Sequence, residues 1–474
     1  MKKRTVLLRL LRLSLLLALA AAIPFAGTGL FYGLQRDAYT DTYYAELPRK
    51  VDRLARTPGS RVVIVGGSSV AFGVDSALVE QELGMPCVNF GLYAAFGLKP
   101  MLDLSAPRLH RGDIVVIAPE TSAQMYSAYC GYDALLQAFE TRVDLLIGLG
   151  ADYWPGLVAK TPAYARDAAK LRRQGGATGT GVYALSSFDA LGDIAYPRPE
   201  NIMARGWLED NLPELTPSIV TREFLDMVNR YARAARLRGA QVFFSFCPID
   251  ALALGEADAA EREAFVRALR DGLECPLLSP LSDHILDAGF FYDSNYHLND
   301  TGVRYNTLAL IADIQRVRGE MRETAAALPH PPALQRDDAA LASGAEDGFA
   351  YDVTARGAIV TGLDAQALEA PTLSVPTTLG GAEVVAVAAG AFDGCAAGEI
   401  VLPAGINRLP SRLFAGLDAL TRVTLLARTL PEVGDELLAD ANPGLVLSVP
   451  AELYGTYITD YFWGAYSEQI AAME

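Results

Sequence analysis

Four short runs set the fold: RVVIVGG (61–67), CVNFGL (87–92), DIVVIAPE (113–120) and AQVFFSFCP (240–248). Each is rich in Val, Ile or Phe and lacks polar alternation, which suits strands covered on both faces, as in a parallel sheet. Helical patterns lie between them, such as VDSALVEQELG (74–84) and REFLDMVNRYARAARLRGA (222–240), the second ending at a C-cap glycine, Gly239. Strand, helix, strand, repeated from 61 to about 325, predicts a doubly wound α/β domain with ligand sites at the carboxyl ends of its strands. Residues 131–215 read as an inserted helix-and-loop region without a place in that alternation.

The first run ends in Gly66-Gly67-Ser68-Ser69. A serine alcohol needs a neighbouring base to become a nucleophile. It also needs exposure at a strand end, with backbone N–H groups aimed at the developing oxyanion. Glycine before it permits a sharp turn, so Ser68 is well placed; the alternative is a glycine-rich turn whose serine caps the next helix. A base is available in FFYDSNYHLNDTGVRYNT (290–307), which holds His297, one of four histidines. Asn299 or Asp300 starts a helix just after it, and Asp293, four residues upstream, can orient the imidazole. His110 lies between arginines, His284 follows an acid in a loop and His330 sits among prolines. Asp283 and Asp287 are weaker substitutes for the acid.

These residues resemble the SGNH or GDSL-like hydrolases. Gly66-Gly67-Ser68 stands for the first family block, with glycine in place of aspartate, and Asp293 to His297 for the last, with one extra residue between acid and base. VNFGLYAAFG is similar to the second block, whose glycine, here Gly91, donates an N–H to the oxyanion. The third-block asparagine is absent, since Glu120-Thr121 follows the third run. The resemblance, to divergent membrane-anchored members acting on cell-envelope polymers, covers about 61–322. It implies a flavodoxin-like three-layer parallel sheet, Ser68 as nucleophile, His297 as base and Asp293 as its orienting acid. Asn89 or the Ser69 N–H would then replace the missing oxyanion donor. Glu120 is read as a contact to base or substrate, or as a loop cap. Neither metal nor cofactor is implied.

The N-terminus carries Lys2, Lys3, Arg4, Arg9 and Arg12 before an uncharged run from Leu13 to Leu34, about 22 residues or roughly 33 Å as helix. The basic cluster should stay in the cytoplasm with everything after Gln35 outside. ALAAA offers a signal-peptidase site, but the apolar stretch runs well past it, which favours an uncleaved transmembrane anchor over residues 1–35. Residues 36–60 read as a stalk. The net charge of −16 without a basic stripe argues against nucleic acid as a partner. The five cysteines match no metal spacing and read as buried hydrophobes.

Residues 326–348, rich in Ala, Pro and Asp, read as a linker. Beyond it LSVPTTLGG, IVLPAGINRLP and LVLSVPAEL each set a short apolar strand before proline, with GAFDGC and RLFAGL recurring between them. Self-similarity at roughly 20–30 residues marks a solenoid. The stretch 349–474 resembles the BspA type of leucine-rich repeat, which implies a surface protein whose repeats bind a protein or host ligand. The expected activity is that of an anchored, extracytoplasmic esterase or O-acyltransferase acting on acyl esters of an envelope glycan. The other reading is a degenerate surface scaffold or adhesion protein. Protease added to intact cells should remove the mass after Gln35; full protection, with surface controls digested, would overturn that topology.

Overall fold

The computed structural model describes Arg12 and residues 37–473, apart from 174, 175, 178, 180, 204, 210, 255–257, 321–326, 335–339, 435, 461 and 462. The expected anchor, Leu13–Leu34, lies outside the described residues, and among the described ones no helix is long and apolar enough to cross a membrane.

Strands β1 (Val62–Gly66), β2 (Cys87–Gly91), β3 (Ile114–Ile117) and β4 (Gln241–Phe244) form a parallel sheet in the order β2-β1-β3-β4, and Leu277 bridges Phe244 in parallel beyond β4. The four apolar runs of the sequence are these strands. Alternate residues pack to opposite faces, and both faces are apolar. Val63, Val65, Val115 and Ile117 join the cluster that contains Leu47, Val51, Met101, Phe224 and Val228. Val62, Ile64, Ile114 and Val116 join another with Val79, Ile311 and Ile314. The fold is therefore α/β with helices on both sides of a parallel sheet.

Helix boundaries follow local chemistry. Asp75, Thr221 and Asn299 cap helices Ser76–Leu83, Arg222–Leu237 and Asp300–Val317, each side chain accepting a backbone N–H from the first turn. At the amino end of the sheet, Arg61 Nη2 lies 2.6 Å from Asp113 Oδ2 with both side chains fully buried. Arg61 also donates to the carbonyls of Leu54 and Arg108. Losing either partner would strand a buried charge, so the pair fixes the entries of β1 and β3 side by side.

One expectation about organisation is corrected and one unplaced region gains a place. The stalk is folded: helix Glu46–Arg56 buries Leu47, Val51 and Leu54, and its Lys50 reaches the Asn89 carbonyl at 3.1 Å. The unplaced region holds helices Tyr132–Ala138, Val143–Gly148 and Trp154–Arg172. Its Glu140 accepts the N–H groups of Ala38 and Tyr39 and the Tyr164 hydroxyl, tying the residues before the sheet to this insertion.

Beyond β5 (Ile249–Asp250) and β6 (Ile285–Leu286), which pair in parallel near the sheet's carboxyl end, the C-terminal part starts earlier than expected. Its first strand, β7 (Ala342–Glu346), falls in the presumed linker and forms an antiparallel meander with β8 (Phe349–Thr354) and β9 (Gly357–Leu363). The chain then supplies β10 (Thr372–Ser374), β11 (Thr378–Leu379), β12 (Ala382–Val387), β13 (Glu399–Leu402), β14 (Arg408–Leu409), β15 (Arg422–Leu425), β16 (Glu432–Val433), β17 (Val446–Val449) and β18 (Ile470–Ala472). These feed two parallel ladders, β10-β13-β15-β17-β18 and β9-β12-β14-β16. In the first, Leu373, Ile400, Val423, Leu447 and Ile470 stand in register, all buried. Phe392 and Phe414, from the recurring phenylalanine turns, fill the space beside them.

Asp250 in β5 is fully buried; its Oδ1 accepts the Leu252 N–H at 2.8 Å, while Oδ2 has no partner. Burial pushes this carboxyl up to about 7. A folded-state value above the unfolded one means stability that is present below about pH 4 and lost as pH rises toward 7. Asp250→Asn should therefore gain unfolding free energy relative to the unmodified protein as pH rises from 4 to 8, by an amount on the order of a few kcal/mol, read in denaturant melts at each pH. A difference that does not change with pH would show that the carboxyl ionises alike in both states.

Candidate active site

Ser68 is the first residue of the short helix Ser68–Ala71, directly after β1. The helix sits so close to the strand ends that side chains are excluded there. A β-carbon on Gly91 would lie 2.4 Å from Val70 Cβ and 2.7 Å from the Gly67 carbonyl. One on Gly67 would meet the Glu120 carboxylate at 2.4 and 2.6 Å. Glycine at 67 thus admits the acid that follows β3. Glu120 is 3% exposed, and its Oε1 accepts the Ser69 N–H at 2.7 Å and the Ser68 hydroxyl at 3.3 Å. Its Oε2 is buried without a hydrogen-bond partner.

The second half of the site is the loop before helix Asp300–Val317. Phe291 bridges Leu298, and the Tyr292 N–H donates to the His297 carbonyl at 2.8 Å, which closes a tight hairpin. That closure absorbs the extra residue between acid and base: Asp293 Oδ1 lies 2.8 Å from His297 Nδ1. The Tyr183 hydroxyl donates to Asp293 Oδ2 at 2.8 Å, so both carboxylate oxygens are engaged. The Phe72 ring stacks on the imidazole, 3.9 Å between centroids and 9° from parallel. Phe72 follows Ser68 by one helical turn, its N–H donating to the Ser68 carbonyl at 2.8 Å. His297 and Ser68 therefore flank the same short helix, but the Ser68 hydroxyl points to Glu120 and makes no hydrogen bond with His297.

The three expected oxyanion donors are occupied in this structure. Asn89 is fully buried, its amide donating to the Val70 carbonyl at 3.1 Å and to Asp193 at 2.9 Å. The Gly91 N–H is 3.2 Å from Asn89 Oδ1, and the Ser69 N–H is held by Glu120. Asn89 thus braces the end of β2, together with Asp193 and Ser76, which donates to that same carboxylate through both N–H and hydroxyl. Asp287 caps Gly289, and Asp283 accepts from the Ser282 hydroxyl; neither meets His297. His284 lies elsewhere, its Nε2 2.8 Å from the Ser279 hydroxyl, and burial pushes its imidazole down to about 4. Among the described residues no cluster of His, Cys, Asp or Glu could hold a metal ion, and all five cysteines are free.

Tyr183 was not legible in the sequence. It comes from the inserted region, in a one-turn segment with no local motif, and reaches the site by packing against Tyr43 and Phe72. Burial and the Asp293 charge push its phenol well above the ordinary value, so it serves as a donor. The C-terminal part also approaches the loop. Arg356 donates to the carbonyls of Asn201 and Ile202, and the Ile202 N–H donates to the Tyr292 carbonyl. Half-buried Glu432 is pushed up to about 7 by burial and by the charge of Asp293.

Tyr183→Phe removes a hydrogen bond to a charged group, worth about 1.5–3 kcal/mol. Any turnover that depends on His297 should fall roughly 10- to 100-fold, in a protein that still folds but melts at a lower temperature, since a buried carboxylate oxygen loses its donor while the ring packing stays. Undiminished turnover would leave Tyr183 a packing residue only.

No family model, curated protein or solved structure matches this chain, so the chemistry of the site rests on its own atoms.

Proposed function

We propose that the chain is a serine esterase or O-acyltransferase, with Ser68 as the nucleophile and His297, oriented by Asp293, as the acid–base group. The observation that carries this reading is the buried pair of His297 Nδ1 and Asp293 Oδ1 at 2.8 Å, set against the same short helix as Ser68. An imidazole whose Nδ1 is tied to a carboxylate offers Nε2 for proton transfer and is stabilised when it becomes charged. Ser68 attacks the ester carbonyl, the alcohol departs, and water or a sugar hydroxyl takes the acyl group. The parallel order β2-β1-β3-β4 with its bridge at Leu277 supports a flavodoxin-like three-layer domain of the SGNH type. The two ladders of the C-terminal part, with strands of the first starting at 372, 399, 422, 446 and 470, support a BspA-like leucine-rich repeat solenoid.

The basic segment before Leu13–Leu34 supports an anchor with the bulk outside, and such a topology suits an acylated envelope glycan as substrate. A scaffold or adhesion role is the second reading, favoured by one observation: all three expected oxyanion donors are engaged within the protein. A fluorophosphonate probe separates the two, because it labels only an activated serine. The unmodified protein should label at Ser68, and Ser68→Ala should not, while Ser69→Ala keeps most labelling. No labelling and no hydrolysis of p-nitrophenyl acetate by the unmodified protein would favour the scaffold.

A further inference from the structure

Glu120 follows β3, in the place where the third-block asparagine is missing, and it is built into the site. Only the lack of a β-carbon at residue 67 admits its carboxylate. Its Oε1 is the one acceptor hydrogen-bonded to the Ser68 hydroxyl, and the same oxygen holds the Ser69 N–H. Its Oε2 is buried and unpartnered. We infer that Glu120, rather than His297, takes the proton of Ser68 in the acylation step, and that this transfer also releases the Ser69 N–H to the oxyanion. The inference rests on the serine acyl-transfer reading and assigns a further catalytic residue within it.

The step balances as follows. The Ser68 O–H bond breaks, its proton passes to Glu120 Oε1, and Oγ bonds to the ester carbon. A hydrogen bond to a charged acceptor is roughly twice as strong as one to a neutral acceptor. Neutralising Glu120 therefore loosens its hold on the Ser69 N–H as negative charge appears on the carbonyl oxygen beside it, where such a donor is needed. The bond to the leaving oxygen then breaks as that oxygen takes the Nε2 proton of His297, which enters the cycle as the imidazolium paired with Asp293 and leaves this step neutral. In deacylation the acceptor hydroxyl gives its proton to His297 as it attacks the acyl carbon. Glu120 returns its proton to Ser68 Oγ as the acyl–serine bond breaks, and both groups end as they began. Two proton carriers with separate duties account for a serine that bonds to Glu120 and a histidine held by Asp293 and Tyr183 rather than by the serine.

A fluorophosphonate isolates the first transfer, because its fluoride leaves without needing a proton. On the full chain, His297→Ala should label at a rate within about threefold of the unmodified protein, yet lose turnover of an alkyl ester. Glu120→Gln should lose labelling by about 10²-fold or more. Glu120→Asp, which keeps the carboxylate, should recover part of it; melting temperatures check that each variant folds. If His297→Ala abolishes labelling while the unmodified protein labels, His297 takes the serine proton and the inference fails, but the esterase reading survives. Glu120→Gln that is folded and labels at the unmodified rate has the same consequence. Absence of labelling and hydrolysis in the unmodified protein would remove the esterase reading and the inference with it.

Discussion

A single steric condition organises the site: β1 and β2 both end without side chains. Gly66 and Gly91 let helix Ser68–Ala71 lie against the strand ends, with Val70 in contact where two β-carbons are missing, and Gly67 leaves room for Glu120. From that approach the rest follows. Ser68 begins a helix at the carboxyl edge of a parallel sheet, where ligands bind in such folds. Glu120 can enter beneath it, and Phe72 is carried round one turn to meet the imidazole of His297. A methyl group at Gly66 or Gly91 would press on Val70, and one at Gly67 on a buried carboxylate, and cores tolerate such overpacking poorly.

The other half of the site depends on contacts far apart in sequence. The Asp293–His297 hairpin is held by its own backbone bond from Tyr292, by Tyr296 donating to the Thr121 carbonyl at 3.2 Å, and by Asn295 accepting the Leu208 N–H at 2.8 Å. The inserted region adds Tyr183, and the C-terminal part reaches the Asn201–Ile202 segment through Arg356. The helix read as a stalk braces β2 through Lys50 on the Asn89 carbonyl. Thr121, Tyr183 and residues 201–208, with Arg356 behind them, thus converge on one loop, and a change in any of them can move the imidazole without touching it.

What the sequence disclosed and what it hid divide along the same line. Strands buried on both faces announce themselves by composition, because no polar residue is tolerated on either side, and the four runs became β1 to β4. The Asn299 cap is a local hydrogen bond and was equally legible. Helix Glu46–Arg56 had its signal, Leu47, Val51 and Leu54 at helical spacing, but tyrosines and Pro48 around it suggested an irregular stalk; proline is tolerated in a first turn. Tyr183 and the link from Ser69 to Glu120 depend on tertiary approach and leave no pattern in a window of residues. Asn89 misled for the opposite reason: a buried asparagine beside a candidate oxyanion glycine looks functional until Val70 and Asp193 are seen to take its amide protons.

The two carboxylates of the site differ in what surrounds them, and the difference sorts their duties. Asp293 has a donor on each oxygen, the His297 ring on one and the Tyr183 hydroxyl on the other, so its charge is held in place and orients the ring. Glu120 has both of its donors on one oxygen, with the other buried and bare. Asp293 is therefore arranged to hold one ring orientation, since moving the imidazole would give up a bond on one oxygen while the other stays fixed by the phenol. Glu120 is arranged differently: a single oxygen meets the Ser68 hydroxyl and the Ser69 N–H together, so whatever moves that oxygen changes the serine and the neighbouring backbone donor at once.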